Sequence, residues 1–129
     1  MFRLVRVAVF AAPILLKFGI AAAESVPPSL LKTWTGTVCN GKARVVLKFT
    51  GTIGQDLYGE YSDSAGGAGK IGPDGWVQAK FIGGKIFVVT GNKTRLELTA
   101  GGSLNGRYFR GSMADNRSGC PDSENVSFS

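Results

Sequence analysis

Trp34-Thr35-Gly36-Thr37-Val38-Cys39-Asn40-Gly41-Lys42 decides how this chain folds. Asn40-Gly41 suits a two-residue type I′ turn, in which both central residues take positive φ. Such a turn makes Cys39 and Lys42 partners and sets the register behind them. Val38 then faces Ala43, Gly36 faces Val45, and Trp34 faces Leu47 on one side of the hairpin. Thr37 with Arg44, Thr35 with Val46, and Thr33 with Lys48 fall on the other. One side is apolar and the other largely polar, so turn chemistry and side-chain alternation agree.

The same device recurs downstream. Ala43 to Thr50 alternates, with Val45, Leu47 and Phe49 on one face, and Gly51-Thr52-Ile53-Gly54-Gln55 reads as a longer turn. Asp56 to Ser62 follows, placing Leu57, Gly59 and Tyr61 together. Ser64 to Gly69 is glycine-rich, Lys70-Ile71 ends a short strand, and Gly72-Pro73-Asp74-Gly75 is a strong turn signal. Trp76 to Ile82 and Lys85 to Thr90 flank Gly83-Gly84, a second hairpin pairing Phe81 with Ile86 and Ala79 with Val88. Thr94 to Thr99 and Leu104 to Arg110 complete the pattern. No segment beyond the first 23 residues sustains a helical apolar period. Nineteen glycines, most of them at expected turns, argue for short strands in sequential hairpins. The fold class expected is all-β, with about eight short antiparallel strands. They form either a small meander barrel or a strongly twisted sandwich.

Leu57-Tyr58-Gly59-Glu60-Tyr61 and Leu104-Asn105-Gly106-Arg107-Tyr108 share a Leu-x-Gly-x-Tyr pattern. Glycine inside a strand marks a bend or a close approach, and here it is expected to make room for a neighbouring aromatic. The early tryptophan, the run of hairpins and this pattern, from Trp34 to Tyr61, resemble small calycin-type barrels, the avidins especially. The resemblance implies a barrel. It does not carry biotin binding with it, because avidins place further tryptophans around the ligand, whereas Trp76 falls by parity on the outer face.

Residues 1–23 read as a secretory signal. Arg3 and Arg6 precede a ten-residue apolar run from Val7 to Leu16, and Ala21-Ala22-Ala23 offers a small-residue cleavage site. The run is shorter than the ~20 residues that span a bilayer, so no stable membrane anchor is expected after cleavage. Residues 24–32, with Pro27-Pro28, read as a linker, and 33–129 as one β domain. Losing Arg3, Arg6 and Lys17 lowers the formal charge from +6 to +3. No dense Lys/Arg run remains to track phosphates, so nucleic acid is not an expected partner. The expected location is periplasmic or secreted.

Export gives the two cysteines meaning. Cys39 and Cys120 are expected to form a disulfide. It would close a loop of about 80 residues, worth roughly 4–5 kcal/mol in the chain-entropy model. Parity places Cys39 outside the core, so the bridge should strap a polar tail against the rim near the first hairpin. Val126 and Phe128 would then add a last strand beside the first. Asn92, Asn116 and Asn125 begin Asn-x-Ser/Thr triplets, which are glycosylation acceptors only in a eukaryote.

The chain contains no histidine, which removes the usual general base and the commonest metal ligand. Two cysteines without companions exclude an ordinary zinc site. Asp56, Glu60 and Asp63 read as a solvated face. No cofactor, metal or catalytic residue is expected, and the chain is read as non-enzymatic. The leading expectation is a module binding a protein partner in the envelope or extracellular space, through an outer apolar and basic face. Trp76, Lys80, Ile82, Lys85, Phe87 and Val89 make up that face, and inhibition of an exported hydrolase is one form such binding could take. The alternative is a binder of a small apolar or aromatic molecule inside the barrel, with Trp34, Tyr61 and Tyr108 as stacking and hydrogen-bonding groups. A structural envelope protein is the third reading.

Overall fold

The computed structural model describes residues 25–111 and 120–129. The segment read as a signal, Asp115 and the Asn116 triplet lie outside them. Nine strands are present among the described residues: β1 Thr33–Val38, β2 Ala43–Ile53, β3 Asp56–Asp63, β4 Ala68–Ile71, β5 Gln78–Ile82, β6 Lys85–Val89, β7 Arg95–Thr99, β8 Leu104–Phe109 and β9 Ser123–Phe128. They form one antiparallel sheet in the order β2-β1-β9-β8-β7-β6-β5-β3-β4, and β2 also pairs with β3. That last pairing closes eight strands into a barrel and leaves β4 as an extra strand on β3. The meander barrel is therefore the fold, and the sandwich is not.

The opening hairpin has the register expected from its turn, from Thr33 opposite Lys48 to Val38 opposite Ala43. Asn40 and Gly41 have φ of 55° and 82°, and the Lys42 amide donates to the Cys39 carbonyl at 3.1 Å. The second hairpin likewise pairs Phe81 with Ile86 and Ala79 with Val88. Inward positions carry the core: Leu47, Phe49, Leu57, Phe81, Ile86, Leu96, Leu98 and Leu104 are all buried.

Three local expectations are corrected. The β2–β3 turn is not five residues long. β2 continues to Ile53, which pairs with Asp56, and only Gly54 and Gln55 turn. A bulge between Phe49 and Gly51 absorbs the odd residue and restores alternation beyond it. Residues 24–32 are not simply a linker. Pro28–Leu30 form one 3-10 turn whose Leu30 is buried under the barrel, and the Trp34 indole N–H donates to the Leu30 carbonyl at 3.0 Å. We call this plugged end the base.

Third, Gly59 and Gly106 do not make room for an aromatic. Each lets the neighbouring strand's backbone approach, as a Cβ there would meet the Lys48 or the Glu97 carbonyl.

β9 completes the barrel beside β1, as expected, through Gly36 opposite Phe128 and a reciprocal amide–carbonyl pair between Thr35 and Ser129. A Cβ on Gly36 would fall 2.8 Å from the Phe128 ring, so glycine is what lets β9 seat there. Beyond this point β1 and β9 are no longer paired.

Candidate functional site

The end opposite the base, here the rim, gathers most of the chemistry. β1 rises to Cys39, which bridges Cys120 with their Cα atoms 4.1 Å apart. The bridge straps the tail to the first hairpin, but Cys39 does not lie outside the core. It is 2% exposed and belongs to the core cluster. The hairpin register is correct; alternation fails because Cys39 itself has left, with φ of 58°, the extended region that alternation assumes. Its amide and that of Asn40 donate to the Glu124 carboxylate, the latter at 3.1 Å. Glu124 thus supplies acceptors where the β1–β9 ladder has ended.

Tyr61 and Tyr108 also stand near the rim, both buried. The Tyr61 hydroxyl donates to the Asp63 carboxylate at 2.7 Å, and the other Asp63 oxygen accepts the amides of Ala65 and Gly67 at 2.9 Å each. The Tyr108 hydroxyl lies 3.8 Å from the Cys39 sulfur. Trp34 lies at the base with its indole N–H donated to Leu30, and Leu47 stands between it and Tyr61 in the register. Trp34 and Tyr61 are thus set on either side of Leu47 in one cross-strand row, and Tyr108 pairs with Leu96 on the opposite part of the wall. Leu47, Phe49, Leu96, Leu98 and Phe81 are buried with them in one core cluster.

Trp76 is not in a strand. It ends the loop that crosses from β4 to β5, where those two strands share one edge of β3. β5 pairs with Asp56 and Leu57, and β4 with Gly59 to Ser62. Where the edge passes from one to the other, the Val77 amide donates to Lys70 and the Gly72 amide to Val77. The Trp76 ring is 5.9 Å from that of Tyr61, tilted by 54°. Cβ atoms on Gly69 or Gly91 would strike it. Trp76 is a wedge between β4 and the β6–β7 turn, and still 41% exposed. Its exposure agrees with the outer-face parity read from sequence: Trp76, Gln78, Lys80 and Ile82 are exposed, while Val77, Ala79 and Phe81 are buried.

The rest of the expected outer face is assembled by the β5–β9 registers. One row reads Gln78, Val89, Arg95, Phe109 and Ser123. The next reads Asp56, Lys80, Phe87, Glu97, Arg107 and Asn125, and the third Ile82, Lys85, Thr99, Asn105 and Ser127. Toward β8 and β9 these rows are polar and cross-linked. Arg107 donates to Asn125 and Ser123, and Ser127 to Asn105. Toward β5 and β6, Ile82, Phe87 and Val89 stand among Gln78, Lys80 and Lys85. Ile82 is 42% and Val89 36% exposed, with Phe87 half-buried between them. Lys80 is held by Asp56 at 2.7 Å and Arg95 lies 3.5 Å from Glu97, while Lys85 faces Ile82 and Thr99.

Among the described residues, no three His, Cys, Asp or Glu side chains converge where a metal ion could sit. No described helix is long and apolar enough to cross a membrane. No known protein family, curated protein or solved structure matches the chain. The class defined by fold and site is a small disulfide-strapped β-barrel, and the particular function has to be argued from its surface.

Proposed function

We propose that the chain is an exported, non-enzymatic binding module that docks a protein partner on its β5–β6 face. The observation behind this reading is the contiguous group of Ile82, Phe87 and Val89 on the barrel's outside, flanked by Lys80 and Lys85. Exposed apolar groups gathered on one face and bordered by charge are what partner interfaces present. The disulfide supports export, since such bonds persist in oxidising compartments such as a periplasm or the extracellular space. A sequence without histidine supports a binding role over an acid–base one.

The test is capture from envelope extract by the tagged wild-type protein and by an Ile82→Asp/Val89→Asp double variant. Both substitutions are on the surface, so the urea midpoint should hold. A partner retained by the wild type and lost by the variant supports the proposal. Identical captured sets defeat it.

A further inference from the structure

We infer that the base of the barrel docks on an anionic lipid surface. Large aliphatic side chains protrude at that end: Ile53 is 69% exposed and Leu31 37%, alongside Ile82. Ile53 and Ile82 stand at hairpin tips, directly before Gly54-Gln55 and Gly83-Gly84. The two tips are neighbours, because the Phe81 amide donates to the Gln55 carbonyl at 2.9 Å and Asp56 pairs with Lys80. Leu31 is exposed on the same side of the barrel, next to Lys32, whose carbonyl accepts the Phe49 amide at 3.1 Å four residues before Ile53 on β2. Aliphatic groups carried on turns can enter the headgroup layer while the strands above stay in water, as an interfacial contact requires.

Charge favours a bilayer over an apolar protein surface as the occupant. Lys32, Lys80 and Lys85 lie around this end; Lys80 is paired with Asp56 at 2.7 Å and Lys32 lies 4.2 Å over the Trp34 ring, so the positive charge left beyond that pair comes from Lys32 and Lys85. Asp63, Asp122 and Glu124 lie at the far rim, the first and last committed to backbone amides. Lysines beside exposed aliphatics match anionic headgroups, which attract cations within a Debye length of the surface. Val26 and the plugging Leu30 pack into the core at this end. The contact is peripheral, not an anchor. It shares Lys80, Ile82 and Lys85 with the proposed partner face but is centred on Leu31 and Ile53, which that face does not use, so the two readings fail separately.

The experiment is cosedimentation of the exported protein with vesicles. Mixed phosphatidylglycerol/phosphatidylethanolamine vesicles are compared with pure phosphatidylcholine. Binding to the anionic vesicles that weakens as salt is raised is the expected result. A Leu31→Ser/Ile53→Ser variant should bind roughly tenfold more weakly from the lost apolar insertion. Lys85→Gln should cost about fivefold, giving a readout independent of the apolar pair. Phe87→Ser, on the barrel's side, should change nothing. Absence of vesicle binding, equal binding to phosphatidylcholine, or unchanged binding by the Leu31/Ile53 variant would overturn the proposal. So would concentration-dependent self-association in place of vesicle binding, abolished by Ile53→Ser, since the base would then face a second copy.

Discussion

Gly59 and Gly106 hold equivalent positions in two separate parts of the barrel wall. A Cβ added to the first would lie 2.8 Å from the carbonyl carbon of Lys48, and one added to the second 2.8 Å from that of Glu97. Each follows a buried leucine by two residues, Leu57 or Leu104, and precedes a buried tyrosine by two, Tyr61 or Tyr108. The facing residue is Phe49 in one case and Leu98 in the other. Two backbones pass here closer than any side chain permits, which lets a barrel of eight short strands coil tightly enough to close.

Gly59→Ala and Gly106→Ala should each destabilise the fold by about 2–4 kcal/mol, because a strand backbone cannot yield as a flexible side chain can. Gly51→Ala is the control, as nothing lies within 4 Å of a Cβ there. It should be neutral or stabilise by up to ~1 kcal/mol through the unfolded chain. Urea denaturation of the three variants decides the matter.

Glu124 replaces missing ladder hydrogen bonds at the β1–β9 seam with one carboxylate. Glu124→Ala leaves the amides of Cys39 and Asn40 without that acceptor. The cost should be about 1.5–3 kcal/mol, the range for hydrogen bonds to a charged group. Hydrogen exchange at those two amides should accelerate beyond what the global loss explains. A variant with unchanged midpoint and exchange would show the carboxylate to be idle.

Cys39 and Cys120 tie the last strand to the first hairpin across 81 residues of sequence. A Cys39→Ala/Cys120→Ala variant should lose roughly 2–5 kcal/mol. The loss should not be uniform. Amides of β9 should lose protection before those of β2 and β3, because β9 meets β1 over one short pairing. Exchange mass spectrometry with and without reductant measures this directly.

Trp76 separates a packing role from a surface role. A side chain that only met a partner could be truncated within about 0.5 kcal/mol of wild-type stability. Seated between Gly69 and Gly91 and against Tyr61, it should instead cost about 1–3 kcal/mol as Trp76→Ala. The same variant should raise the exchange of β4 amides.

The hairpins and their registers were legible from sequence because each is local. Asn40-Gly41 and Gly83-Gly84 impose positive φ over two residues, and alternation then assigns every following side chain to a face. That was enough to place the apolar core and the all-β class; the disulfide came instead from an even pair of cysteines in an expected exported chain, and with alternation it brought Val126 and Phe128 back to the first strand. The outer positions of Ile82, Phe87 and Val89 followed from the same parity.

Parity holds only while the backbone stays extended, and there the tertiary structure took over. Cys39 turns inward on a positive φ that Glu124 and Cys120 help to hold, and both partners lie more than 80 residues away. Trp76 keeps the outer side that parity gave it, but its seat against Gly69, Gly91 and Tyr61 follows from β4 and β5 dividing one edge of β3, a pairing across strands that no local pattern announces. Sequence determined which side of the sheet each residue serves. Closure, which brings distant strands into contact, decided which residues meet.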